Sequence, residues 1–132
     1  MSFKTLALIT SAILLLLGLG YLIVGSLIVS RWQIDPSDSV LLFGRRIGSL
    51  YIGLSVIYFF ARSSPVSATR TALITGTAVA LLLLVSLGIY ELSAGHVGKG
   101  ILVSMSIEFI LLLLYVRLLL IERTLKIASL NK

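Results

Sequence analysis

The chain has 132 residues, of which 58% are hydrophobic and 12% are charged, whereas soluble domains carry about 25% charged residues. Because a soluble chain of this length could not cover so much apolar surface, we predict a membrane protein, and the mean hydropathy of +1.14 agrees. The net charge of +6 is then explained by the membrane surface and not by nucleic acid. The absence of cysteine excludes disulfides, thiol catalysis and cysteine-ligated metals, and we expect no cofactor.

Four apolar stretches follow one another along the chain, and each has about the 20 residues that a transmembrane helix needs. The first follows Lys4 and lacks a small-residue cleavage site, so we interpret it as a retained helix and not as a signal peptide. The connections are short, which predicts that consecutive helices are antiparallel neighbours. The predicted fold is a single all-α domain of residues 1–132, an integral membrane four-helix up-down bundle with helices over about 5–30, 36–61, 65–93 and 97–124.

Capping and aromatic residues mark the predicted helix ends. Asp35 and Ser64 are each followed directly by proline, a combination that predicts the starts of the second and third helices. Trp32 and Tyr90 fall near helix ends on one side, as aromatic residues at a membrane interface do. These positions agree with spans that begin and end near the headgroups.

The distribution of Lys and Arg predicts the orientation, because cytoplasmic loops carry an excess of basic residues. Seven of these residues fall on the side that holds both chain termini, and two fall on the other side. We therefore expect both termini in the cytoplasm and the first and third connections outside. The seven are Lys4, Arg62, Arg70, Arg117, Arg123, Lys126 and Lys132, and the two are Arg31 and Lys99.

Charged residues inside the apolar stretches form the first candidate site. Arg45 and Arg46 interrupt the second predicted helix, and Glu108 is the one acid deep within another stretch. A charge in hydrocarbon is costly unless it pairs or reaches water, and helices two and four of an up-down bundle are parallel, with these charges at similar depths. We predict that Glu108 bonds to Arg45 or Arg46. Two neighbours at helical spacing complete this buried polar site, Ser49 and Ser104.

Two interpretations of this polar site remain open. It is either an interhelical ion pair that fixes the register of the helices, or a binding site for a proton, an anion or a polar headgroup. The single histidine, His96, lies in a predicted turn. We expect its side chain to be solvated, because one imidazole does not make a metal site.

Small residues spaced four apart form the second candidate feature, because they let helices approach closely in lipid. This pattern has two interpretations, which are packing within the chain and docking of another membrane protein chain. The helix-packing residues are Gly20 in the first predicted helix, Gly44, Gly48 and Gly53 in the second, Gly76 in the third and Gly100 in the fourth.

Three segments of the second predicted helix and its exit carry a family resemblance: Gly44–Gly48 (GRRIG), Tyr51–Leu54 (YIGL) and Ala61–Pro65 (ARSSP). With these segments the chain resembles small, uncharacterised four-helix inner-membrane proteins of bacteria, broadly of the DoxX-like kind. The resemblance implies a multi-pass protein of the bacterial inner membrane. It implies no activity, because such families have no settled one.

We expect a non-enzymatic protein, since the short connections leave little room for an active site and the sequence has no catalytic motif. The leading hypothesis is an accessory or structural subunit that packs against other membrane subunits or against a second copy of itself. One alternative is a small transporter or channel built on Arg45, Arg46 and Glu108. A further alternative is a protein that binds lipid or quinone between its helices.

Overall fold

The computed structural model describes the backbone of residues 2–130 and the side chains of residues 2–124. The described chain consists of helices and short connections: α1 (Phe3–Ile23), α2 (Gly25–Arg31), α3 (Asp38–Ala61), α4 (Ala68–Ser93) and α5 (Ile101–Leu130). Four of these helices, α1, α3, α4 and α5, are long and apolar enough to cross a membrane. This confirms the prediction of an all-helical chain with four apolar helices.

The structure divides the first predicted helix in two. Val24 leaves the helical conformation (φ −125°, ψ 31°) directly before Gly25, and α2 begins there as a separate short helix. Glycine weakens a helix and is a common position for a break. The second and third predicted helices begin slightly later than expected, because Ser37 and Ser67 accept the capping hydrogen bonds at their starts.

α1 and α3 pack along each other as an antiparallel pair. At one crossing point the backbones nearly touch, since a Cβ atom added to Gly48 would lie 2.8 Å from the carbonyl oxygen of Gly18. Nearer the start of the chain, the hydroxyls of Ser11 and Ser55 each donate a hydrogen bond to the other residue's carbonyl oxygen at 2.9 Å. Close backbone approach and hydroxyl hydrogen bonds are the interactions that join helices in lipid, which explains why small residues occupy these positions.

α4 and α5 form the second helix pair. Gly88 of α4 lies against Met105 of α5, whose sulfur would be 2.9 Å from a Cβ atom added at position 88. Although α3 and α4 are consecutive, they do not pack along each other in the part of the chain that the structure describes. The arrangement is therefore two helix pairs and not a ring of four equal contacts.

The two pairs join at one end of the molecule, which we call the closed end. Tyr115 of α5 is fully buried there, and a 2.8 Å hydrogen bond joins its hydroxyl to that of Thr10 on α1. Its ring meets the ring of Tyr58 on α3 in an edge contact at 6.4 Å, and Tyr58 hydrogen-bonds to Thr77 on α4. These four residues, which we call the tyrosine network, link all four long helices. The apolar core around them consists of Phe3, Leu6, Ala7, Ile74, Ala78, Leu81, Leu111, Leu112 and Leu118.

A buried ion pair lies at the same end. Arg70 of α4 donates a hydrogen bond to the carboxylate of Glu122 on α5, and the two side chains are only 15% and 6% exposed. The guanidinium of Arg70 also lies over the ring of Phe3, 4.4 Å from its centre. Glu122 is therefore a second buried acid on α5, which the sequence analysis did not identify. Glu122 lies at the end of the last apolar stretch, two turns after Tyr115 on the same face of α5, and that face is turned toward the core.

The connections at the opposite end, which we call the cleft end, also touch. The amide of Gly98 donates a 2.7 Å hydrogen bond to the carbonyl oxygen of Trp32. Gly98 lies against the side chain of Gln33, and Gly100 lies so close to the carbonyl oxygen of Arg31 that position 100 does not accommodate a side chain. The two helix pairs are thus joined at both ends of the molecule.

We expect a large side chain at position 48 to separate α1 from α3, whereas the same change at position 53 should be tolerated. Gly48→Leu forces side-chain atoms against the backbone of Gly18, but a Cβ atom added to Gly53 meets nothing within 4 Å. Overpacking of this kind typically costs about 1–3 kcal/mol. Thermal unfolding in a mild detergent should show a lower midpoint for Gly48→Leu and an unchanged one for Gly53→Leu. Equal midpoints for the two variants would contradict the α1–α3 contact.

Candidate ligand-binding cleft

The core-facing side of α5 is less buried in the first two turns of the helix than in the turns that follow. One face of this helix is marked by residues three and four apart, namely Ile101, Ser104, Glu108, Leu111, Tyr115 and Leu118. From Leu111 onward this face is buried in the core. Before Leu111 the same face lines a cleft, so the cleft continues the core toward the cleft end of the molecule.

The cleft has a volume of about 430 Å³, which lies within the range of about 300–1,000 Å³ in which proteins hold small molecules. α4 and α5 form its walls, and Trp32 and Ile34, which follow α2, close one side. The walls are mainly apolar, with Leu84, Leu87, Ile101 and Met105. The polar lining groups are the side chains of Glu91, His96, Ser104 and Glu108.

Glu108 is the charged side chain farthest along α5 into the cleft. It lies seven residues after Ile101, or about 10 Å along the helix at 1.5 Å per residue. The residue is half-buried, and among the described side chains it forms no ion pair. Its carboxylate therefore has no cationic partner in the described chain.

The predicted ion pair between Glu108 and Arg45 or Arg46 is not formed. Both arginines are exposed on α3, and neither lies within ion-pair distance of Glu108. Similar depth does not bring the charges together because rotation about the helix axis also matters. Arg46 precedes Gly48 by two residues, which is about 200° around a helix of 3.6 residues per turn, so it lies on the side of α3 opposite α1. A long cationic side chain in such a position can extend along the helix to the headgroups.

The two serines assigned to the same polar site hydrogen-bond to their own helices. Ser104 donates to the carbonyl oxygen of Ile101 at 2.9 Å, and Ser49 donates to that of Arg45 at 3.0 Å. Ser104 lines the cleft together with Glu108, whereas Ser49 is exposed on α3. The structure thus brings two of the five predicted polar residues together, and the three on α3 are not part of the cleft.

The predicted helix-packing glycines divide into two groups. Close contacts within the chain account for four of them, Gly20, Gly44, Gly48 and Gly100. At Gly53 and Gly76 an added Cβ atom would meet nothing within 4 Å. Packing within the chain is therefore the observed role of the first group, while a free surface remains at Gly53 on α3 and at Gly76 on α4.

Sequence reasoning missed two parts of the cleft. It treats Trp32 as an interfacial aromatic residue and His96 as a solvated loop residue, without assigning either to a site. In the structure Nδ1 of His96 is 2.7 Å from a carboxylate oxygen of Glu91 at the mouth of the cleft. The signal in the sequence is Gly95, a residue type that favours a turn. In the structure Gly95 has a positive φ of 74°, and the turn brings His96 next to Glu91.

Most polar groups that line the cleft are engaged by other groups of the chain. The hydroxyl of Ser104 is engaged by the carbonyl oxygen of its own helix, and His96 is paired with Glu91 at the mouth. Among the described residues, no group of three or more His, Cys, Asp or Glu side chains is placed to hold a metal ion. The arrangement offers a carboxylate and an apolar wall to a bound molecule.

Comparison of the chain with protein-family models, with curated proteins and with solved structures finds no match. The resemblance to DoxX-like proteins therefore stays a prediction.

We expect the two acids on the core-facing side of α5 to respond differently to neutralisation. Glu122→Gln strands Arg70 in a buried position, and breaking a buried pair typically costs about 3–5 kcal/mol. Glu108 has no cationic partner in the described chain, so Glu108→Gln should leave stability unchanged or raise it. Thermal unfolding of both variants in the same detergent provides the measurement. An equal loss of stability in Glu108→Gln would show that Glu108 is paired after all.

Proposed function

We propose that this chain is a non-enzymatic, multi-pass protein of a bacterial inner membrane and that it binds an amphipathic small molecule in the cleft. In this proposal the four long helices cross the membrane as an up-down bundle with both termini in the cytoplasm. The seven-to-two excess of Lys and Arg on the side of the termini supports this orientation. The cleft then lies toward the outer side of the membrane.

The observation that carries the proposal is the carboxylate of Glu108 in an otherwise apolar cleft. Apolar walls alone would require no ligand, because lipid chains solvate them as well as protein does. A carboxylate at depth in hydrocarbon is costly without a partner or water. A bound molecule that supplies a polar partner and fills the cleft removes this cost.

A second candidate is the accessory-subunit function, which the surface around Gly53 favours. Gly53 and Ser49 lie four residues apart on an exposed face of α3, about 100–140° around the helix from Gly48, which contacts α1. Small residues at this spacing allow another helix to approach closely in lipid.

Under this function Gly53→Leu removes a co-purifying membrane protein without changing thermal unfolding of the chain. Retention of every partner by this variant would count against docking at this face.

Trp32 is the single tryptophan of the chain and lines the cleft, so its fluorescence reports on occupancy. Two probes of the same shape and opposite charge, tetraphenylphosphonium and tetraphenylborate, can be added to the purified protein in a nonionic detergent. We expect at least one of them to change the Trp32 emission saturably. Ser104→Phe, which adds a ring to the cleft wall, should weaken this binding by about tenfold or more.

Val103→Phe is the matched control, because it adds the same ring one residue away at a position that is 69% exposed. This variant should bind the probe as the unaltered protein does. Equal weakening in both variants, or no saturable change with either probe, would contradict a binding cleft.

The proposed orientation can be tested with single cysteines, because the chain has none of its own. Ser93 at the end of α4 and Ser63 after α3 are both exposed, and they lie at opposite ends of the proposed bundle. In intact cells a membrane-impermeant maleimide should label Ser93→Cys and leave Ser63→Cys unlabelled until the cells are opened. Labelling of Ser63→Cys in intact cells would reverse the orientation.

A further inference from the structure

We infer that the cleft selects an amphipathic organic cation, a molecule whose single positive charge is surrounded by apolar groups. This inference rests on the proposed function, since it names the ligand class of the same cleft. Three features of the lining support it: its charge, the depth of that charge and the aromatic side chain of Trp32.

The charge of the lining is negative. Two carboxylates, Glu91 and Glu108, contribute to it, and no Lys or Arg is among the described residues that line the cleft. Glu91 already has a partner in His96 at the mouth. The carboxylate of Glu108 therefore remains available to a ligand, and the charge complementary to it is positive.

The depth of Glu108 decides what kind of cation fits. The carboxylate lies about 10 Å along α5 from the first residue of that helix, whereas a lipid headgroup belongs at the membrane surface. A hard metal ion needs six or more oxygen ligands, but the wall near Glu108 consists of side chains such as Leu84 and Met105. The occupant is therefore a free molecule that carries its charge within an apolar envelope, such as a quaternary phosphonium or ammonium ion.

An aromatic side chain adds to this selectivity, because organic cations are attracted to aromatic faces within about 6 Å. Trp32 lines the cleft. An anion would meet the same ring and the same carboxylate unfavourably. The lining thus discriminates by charge as well as by shape.

A comparison of the affinities of the two tetraphenyl probes tests the inference, with Trp32 emission as the readout. At low ionic strength tetraphenylphosphonium should bind at least about tenfold more tightly than tetraphenylborate. Glu108→Gln should weaken binding of the cation by about tenfold and leave binding of the anion unchanged or stronger. Glu108→Asp keeps the charge and should restore most of the cation affinity. Glu91→Gln should have a smaller effect, because Glu91 is paired with His96 near the solvent.

The outcomes separate this inference from the function on which it rests. Saturable binding of tetraphenylborate with an affinity equal to or above that of the cation would overturn the cation inference and leave a binding cleft. No saturable binding of either probe would overturn both. Displacement of tetraphenylphosphonium by phosphatidylcholine, in a manner that depends on Glu108, would show that the occupant is a lipid headgroup and that the free-cation assignment is wrong.

Discussion

Tyr115 makes the contact on which the association of the two helix pairs depends. Its hydroxyl reaches Thr10 on α1, its ring meets Tyr58 on α3, and Tyr58 continues the contact to Thr77 on α4. Lipid tails are as apolar as leucine, so apolar burial supplies little attraction between helices in a membrane. Hydrogen bonds and close packing must then determine where helices meet, and the tyrosine network concentrates both at the closed end.

The cleft exists because the tyrosine network joins the two helix pairs only at the closed end and leaves the start of α5 uncovered by α1 and α3. The core-facing side of α5 continues beyond the network toward Ile101, where neither α1 nor α3 lines it. The hydrogen bond between Gly98 and Trp32 joins the pairs again at the cleft end. Two acids on this side of α5 consequently have different environments. Glu122 is neutralised by Arg70, while Glu108 faces an apolar space large enough for a small molecule, and this contrast is the basis of the functional proposal.

The parts of this structure that depend on local sequence could be predicted, and the parts that depend on helix rotation could not. The length and polarity of the apolar stretches predict the four long helices, and a small residue such as Gly48 marks a close helix contact. Core-facing and lipid-facing residues, however, are equally apolar in a membrane, as the buried Leu81 and the 64% exposed Leu83 show. Without an amphipathic pattern, the sequence does not reveal that Arg46 lies opposite α1 or that Glu122 faces the core.

The most direct test of the account is the reactivity of single cysteines along the core-facing side of α5. Ser104→Cys lies in the cleft, whereas Leu111→Cys and Leu118→Cys lie in the packed core. A small hydrophilic thiol reagent applied to the protein in liposomes should modify the cysteine at position 104 and leave those at 111 and 118 unmodified. Equal reactivity at all three positions would mean a continuous channel, and protection at position 104 would mean that there is no accessible cleft; either result would contradict the account.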